Sequence, residues 1–104
     1  MTKILLDDVK VLQVRYQISH SQASTLWLLS EVILVTREDI EELHSIYGSA
    51  KQLMWNLRRA LKKLEDRPEM FVVVKSKGYT GWWLDPADQE KVRAVMKLEH
   101  HPAR

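Results

Sequence analysis

With 104 residues, 45% hydrophobic and 29% charged, the chain has room for one folded domain (1–104) around one core, and none for a second, catalytic unit beside it. Sixteen Lys and Arg against fourteen Asp and Glu leave a net charge of +2, which admits an anionic partner without naming one. Cysteine is absent, so a disulfide framework, a thiol nucleophile and a Cys-based zinc site are excluded.

The first residues, Met1 to Asp8, meet acid after three apolar positions, too few for a signal-peptide core. No stretch approaches membrane-span length, and the expectation is a cytoplasmic protein with no membrane partner. Leu5, Val9, Leu12 and Tyr16 have helical spacing, although Val14 to Ile18 alternates like a strand; a helix is the favoured reading.

Glycine does not occur before Gly48, which predicts helices joined by short turns in the first half. Four boundaries carry helix-start chemistry: Ser19 to Gln22, Thr36 to Asp39, Ser49 to Gln52 and Asp85 to Asp88. Each sets a short oxygen-bearing cap three residues before an acid or amide able to reach back to it. Val35 and Ile40, on either side of the Thr36 cap, form a candidate hydrophobic staple. Leu26, Leu29, Val32 and Ile33 are expected on the inner face of one helix (about 22–32), and Ile40 and Leu43, with Tyr47, on that of the next. Leu53, Leu57, Leu61 and Leu64 form the stripe of a third, stopped by Asp66-Arg67-Pro68.

Opposite that leucine stripe lie Lys51, Gln52, Trp55, Asn56, Arg58, Arg59, Lys62 and Lys63, an arc almost free of carboxylates until Glu65. Arginine can donate two hydrogen bonds to guanine, Asn and Gln can pair with adenine, and lysines bind phosphates, so the arc has the chemistry of a major-groove reader. A solvated amphipathic helix has the same look when seen alone. The next segment of the chain favours the groove reader. Phe71 to Val74, a Lys75-Ser76-Lys77-Gly78 tip and Trp82-Trp83-Leu84 read as a hairpin over about 70–84, stiff at its base and cationic at its end. Lys75 and Lys77 could rest on phosphates there, or merely guard a sheet edge. A last helix is expected over about 86–98, with Val92, Val95, Met96 and Leu98 covering the core or pairing two subunits as a homodimer.

The fold class is therefore mainly α with a C-terminal β-hairpin (α+β), in the order of a winged helix-turn-helix. Thr36-Arg37-Glu38-Asp39-Ile40, Leu57-Arg58-Arg59-Ala60-Leu61 and Val74-Lys75-Ser76-Lys77-Gly78-Tyr79 resemble three signature stretches of the OmpR/PhoB-type winged-helix DNA-binding domain: its "V-S-R-E-x-L" helix start, its "L-R-x-K-L" recognition helix and its "v-x-G-x-G-Y" wing. Ile18 to Ala23 is similar to that family's "L-T-x-x-E" helix start, and the resemblance covers roughly residues 18–84. It implies that Arg58 is a recognition-helix arginine, that Trp55 and Asn56 face DNA, and that Lys75 and Tyr79 meet the backbone. Sliding the motif by one helical turn moves the arginine's role to Lys62. The family's receiver domain and N-terminal sheet are not evident, and only Ile46 to Ala50 stand where its activators often have a longer loop, so neither phosphorylation-driven dimerisation nor activation through that loop is implied.

The remaining constellations point elsewhere than catalysis. Trp27, Trp82 and Trp83 read as packing, with Trp55 the exception off the leucine stripe. His20, His44 and the His100-His101 pair lack designed ligand spacing, so no metal or cofactor is expected. No serine has an identifiable His and acid partner and no phosphate loop occurs, so no enzyme is expected. The expected function is that of a sequence-specific regulator, bacterial or phage-borne, whose partner is double-stranded DNA. The alternative is an adaptor that uses the same scaffold to bind RNA polymerase or another regulator, anchored on Trp55 and on the acids Glu38, Asp39, Glu41 and Glu42.

Overall fold

A computed structural model describes residues 6–44, 50–78 and 81–100. In chain order the elements are α1 (Leu6–Tyr16), α2 (His20–Glu31), β1 (Val35–Thr36), α3 (Arg37–His44), α4 (Ala50–Lys62), β2 (Lys75–Lys77), β3 (Gly81–Trp83) and α5 (Pro86–His100). The arrangement is mainly α with a small antiparallel sheet ordered β1-β3-β2, a winged-helix-like architecture.

Local chemistry starts and stops the helices. Ser19 Oγ accepts from the Gln22 N–H at 3.2 Å while Gln22 Oε1 accepts from the Ser19 N–H at 3.0 Å, the reciprocal capping box its sequence calls for. Thr36 and Asp39 repeat the device, at 3.1 and 2.9 Å, and the staple residues Val35 and Ile40 are both fully buried. Helix α1 ends through Gln17, whose φ of 56° is left-handed; the Ile18 N–H then reaches back to the Gln13 carbonyl at 3.1 Å. The Ser49 cap and Tyr47 lie outside the described residues, as do Leu5 and, for its side chain, Leu98.

The core takes Val9, Leu12 and Tyr16 from α1, which decides that segment for helix; Val14, which a strand would have alternated inward, is 69% exposed. Leu26 and Leu29 of α2, Ile40 of α3, and Leu57 and Leu61 of α4 are buried, with Leu53 and Leu64 partly so. Met54, outside the leucine stripe, is buried as well. Helix α5 packs on α1 and α2 and buries Val92, Val95 and Met96 in its own domain's core. A buried hydrogen bond from the Tyr16 hydroxyl to the Met70 carbonyl, 2.9 Å, ties α1 to the turns that come after α4. The Gln89 amide donates to the carbonyls of Leu29 and Val32 at 3.0 and 2.9 Å, holding the end of α2 against α5.

Four expectations need correction. The sheet has a third strand: Val35 and Thr36 do not merely precede a helix but pair with Trp82 and Gly81 of β3. Phe71 to Val74 is unpaired, and the ladder begins only at Lys75, opposite Trp83. Val72 and Val74 are buried while Val73 is half exposed, so the run's alternation reflects extended chain packed on the core rather than strand pairing. Ile33, placed on the inner face of α2, is 89% exposed, because the helix stops at Glu31 and the chain turns outward. Finally, Asp85 stands at the cap position of α5, its carbonyl accepting from the Gln89 N–H at 2.9 Å, but its side chain and that of Asp88 hold the entry to the hairpin instead of pairing with each other's backbone. Asp85 Oδ2 lies 2.6 Å from Lys75 Nζ, and Asp88 Oδ2 accepts from the Val73 N–H at 3.0 Å.

Candidate nucleic-acid interface

Helix α4 presents two unlike faces. Ala50, Met54, Leu57 and Leu61 recur at three- and four-residue steps and are buried, which turns Lys51, Gln52, Trp55, Asn56, Arg59 and Lys62 to solvent. Four cations and no carboxylate occur between Ala50 and Lys62. Neighbours one turn apart pair along the exposed arc. The Gln52 Nε2 amide donates to Asn56 Oδ1 at 3.3 Å, and the Arg59 guanidinium lies 4.7 Å from the centre of the Trp55 ring. These pairs fix amide and cationic groups in a row without burying them.

Arg58 stands apart, at the edge of the arc beside the buried Leu57 and half-buried itself. Its Nε and Nη2 both donate to the Val74 carbonyl, at 3.0 and 2.8 Å, and Nη2 also donates to Ser76 Oγ at 3.0 Å. The side chain assigned by resemblance to base recognition is thus a strut between α4 and the strand that opens the hairpin. Within Lys75-Ser76-Lys77, alternation turns Ser76 toward α4 and leaves the two lysines exposed on the other face of β2. Lys75 pairs with Asp85, both about half exposed at 48% and 47%, so this bridge contributes less than about 1 kcal/mol.

Between α4 and the hairpin lies a groove of about 510 Å³. It brings together Lys51, Gln52, Trp55 and Arg58 with Ser76 and Gly78, over a floor that includes Met54 and Trp82. Arg58 also borders a second depression of about 210 Å³, shared with Lys62, Glu65 and the 71–74 segment. Gly78, with φ of 63°, makes the left-handed bend that leaves β2. Tyr79 lies outside the described residues. Ser76 and Asp85 are the positioning residues that sequence reasoning missed. The Ser76 signal was present in the two-residue alternation of the tip, whereas nothing local linked Asp85 to Lys75.

The acids of α3 occupy the preceding helix; Glu38, Asp39 and Glu42 are exposed, with Asp39 engaged in the cap at Thr36. At the other end of α3, His44 Nε2 lies 2.9 Å from Thr25 Oγ1. Thr25 already donates its one hydroxyl proton to the Ser21 carbonyl at 2.8 Å, so it accepts from His44, and Nε2 carries a proton. Burial, and secondarily the nearby His20, push the His44 pKa below its ordinary value.

No three His, Cys, Asp or Glu among the described residues are grouped to hold a metal ion. No described helix is long and apolar enough to cross a membrane. No protein-family model matches the chain, and neither curated proteins nor solved structures provide a match.

Proposed function

We propose that this chain is a winged helix-turn-helix protein of the OmpR/PhoB-like kind that binds duplex DNA and regulates transcription, not an enzyme. In this reading α3 and α4 are the helix-turn-helix pair, α4 enters the major groove and the hairpin lies on the adjacent backbone. The supporting observation is the exposed, carboxylate-free arc of α4, fixed against the hairpin by Arg58. A row of cations and amides on a rigid helix suits a phosphate-lined groove about 12 Å wide. The Gln52–Asn56 pair leaves the Gln52 carbonyl and the Asn56 amide nitrogen on the exposed arc, an acceptor and a donor of the kinds an adenine edge can meet.

The test is binding of a labelled mixed-sequence duplex, followed by fluorescence anisotropy across a salt series. Micromolar affinity that falls steeply with salt is expected, because phosphate contacts release counterions. Asn56→Ala should then relax preference at one base position by about 1–3 kcal/mol. No binding even at low salt refutes the proposal. A second reading rests on Trp55, which is 52% exposed on the same face: an adaptor docking RNA polymerase or another regulator through that ring. It predicts that Trp55→Ala abolishes partner capture while DNA is not bound.

A further inference from the structure

Among the described residues, Arg58 has no anionic partner. Its guanidinium carries five N–H groups, and the acceptors of Nε and Nη2 are a carbonyl and a hydroxyl, both neutral. The two N–H groups of Nη1 have no acceptor among the described residues. A half-buried guanidinium held by neutral groups keeps its full charge while losing part of its hydration, which makes it a strong attractor for an anion from outside. It borders the 510 Å³ groove, whose described lining residues include Lys51 and no carboxylate.

We infer that this groove is a phosphate seat, with Arg58 at its inner edge and a DNA phosphodiester as its occupant. The inference rests on the proposed DNA binding and deepens it by changing the role of Arg58. The two N–H groups of Nη1 are left to donate to phosphate oxygens, and the strut to Val74 and Ser76 fixes the guanidinium before the anion arrives, so little rotamer freedom remains to be lost on binding. Trp55 at the rim gives the attached sugar an apolar wall. An arginine used in this way positions the duplex and does not read sequence; base reading is left to Gln52 and Asn56. The same strut makes hairpin and recognition helix move as one, so the seat is absent unless both are folded together.

Arg58→Gln tests the seat, because the amide can still donate to the Val74 carbonyl while the charge is removed. Ser76→Ala is the control, since it trims the strut and leaves the charge. Each variant is titrated with two duplexes of unrelated sequence across a salt series, with circular dichroism to establish folding. Arg58→Gln is expected to weaken both duplexes by the same factor and to lower the salt slope by about one, or about fourfold less affinity loss between 50 and 200 mM salt. Ser76→Ala is expected to keep the wild-type slope. An Arg58→Gln effect confined to one duplex, or an unchanged slope in a folded variant, overturns the seat while leaving DNA binding intact. If the wild type binds no duplex, the DNA proposal fails separately, and inorganic phosphate decides the seat. A phosphate-dependent shift of the Arg58 guanidinium Nη–H resonances then assigns it to a free phosphate-bearing ligand, and no shift removes it.

Discussion

Replacing Tyr16 by Phe removes one oxygen and leaves the ring, so it isolates the buried hydrogen bond between α1 and the turns after α4. The side chain is 2% exposed, and its hydroxyl donates to the Met70 carbonyl at 2.9 Å. Losing a typical hydrogen bond costs about 0.5–1.5 kcal/mol, and a carbonyl left buried without a donor raises that to about 1–2 kcal/mol. For a domain of this size the melting temperature should fall by about 5–12 °C. The pH dependence supplies a sharper check. Burial, and then the charge of Asp88, hold the Tyr16 pKa far above its ordinary value near 10. The folded protein therefore keeps the phenolic proton that the unfolded chain releases above pH 10. The stabilisation is fully present below pH 10 and is lost as pH rises toward the folded pKa. By pH 11 deprotonation favours the unfolded wild type by about 1.4 kcal/mol, a penalty that the Tyr16→Phe variant does not incur. Urea denaturation of both proteins between pH 7 and 11 should show the wild-type advantage shrinking nearly to nothing. Equal stability at pH 7, or a difference constant up to pH 11, would refute the reasoning, because every other titrating group is common to the two chains.

Three further outcomes are expected. Gln17→Gly should stabilise the protein by about 0.5–1 kcal/mol in urea melts, since Gln17 adopts a left-handed φ of 56° at the end of α1, where glycine meets no steric cost. Leu57→Ala, at a fully buried position of α4, should cost about 2–5 kcal/mol and is measured as a lower urea midpoint with little change in m. His44 has a lowered folded pKa, so its contribution is present above its ordinary value near 6.5 and is lost as pH falls. His44→Gln, which keeps a donor for Thr25, should flatten the decline in stability between pH 7 and 5.

Parts of the candidate interface were legible because they depend on one turn of helix. Residues three and four apart share a face whatever lies around them, so burial of Leu57 and Leu61 carries Gln52, Trp55, Asn56 and Arg59 outward together. Arg58 is the exception that shows the limit. It sits at the boundary between the two faces, and only the arrival of Val74 and Ser76, sixteen and eighteen residues later, decides that its fork turns to the hairpin.

Local spacing was enough for whatever a single element can settle: five helices, the capping boxes at Ser19 and Thr36, the inner faces of α1, α4 and α5, and an outward Trp55. Features that require a partner emerged only in the assembled fold. Val35 and Thr36 form a strand because β3 offers them a ladder, whereas Val72 and Val74 are buried in the core from an extended segment that no described strand pairs. The same assembly turned the side chains of Asp85 and Asp88, at the start of α5, from a reciprocal capping pair into clasps on the hairpin entry. Helix hydrogen bonds and caps close within four residues and are written into neighbouring positions. Sheet pairing and long side-chain struts are completed by groups far away in the chain, so their register is set only when the core assembles.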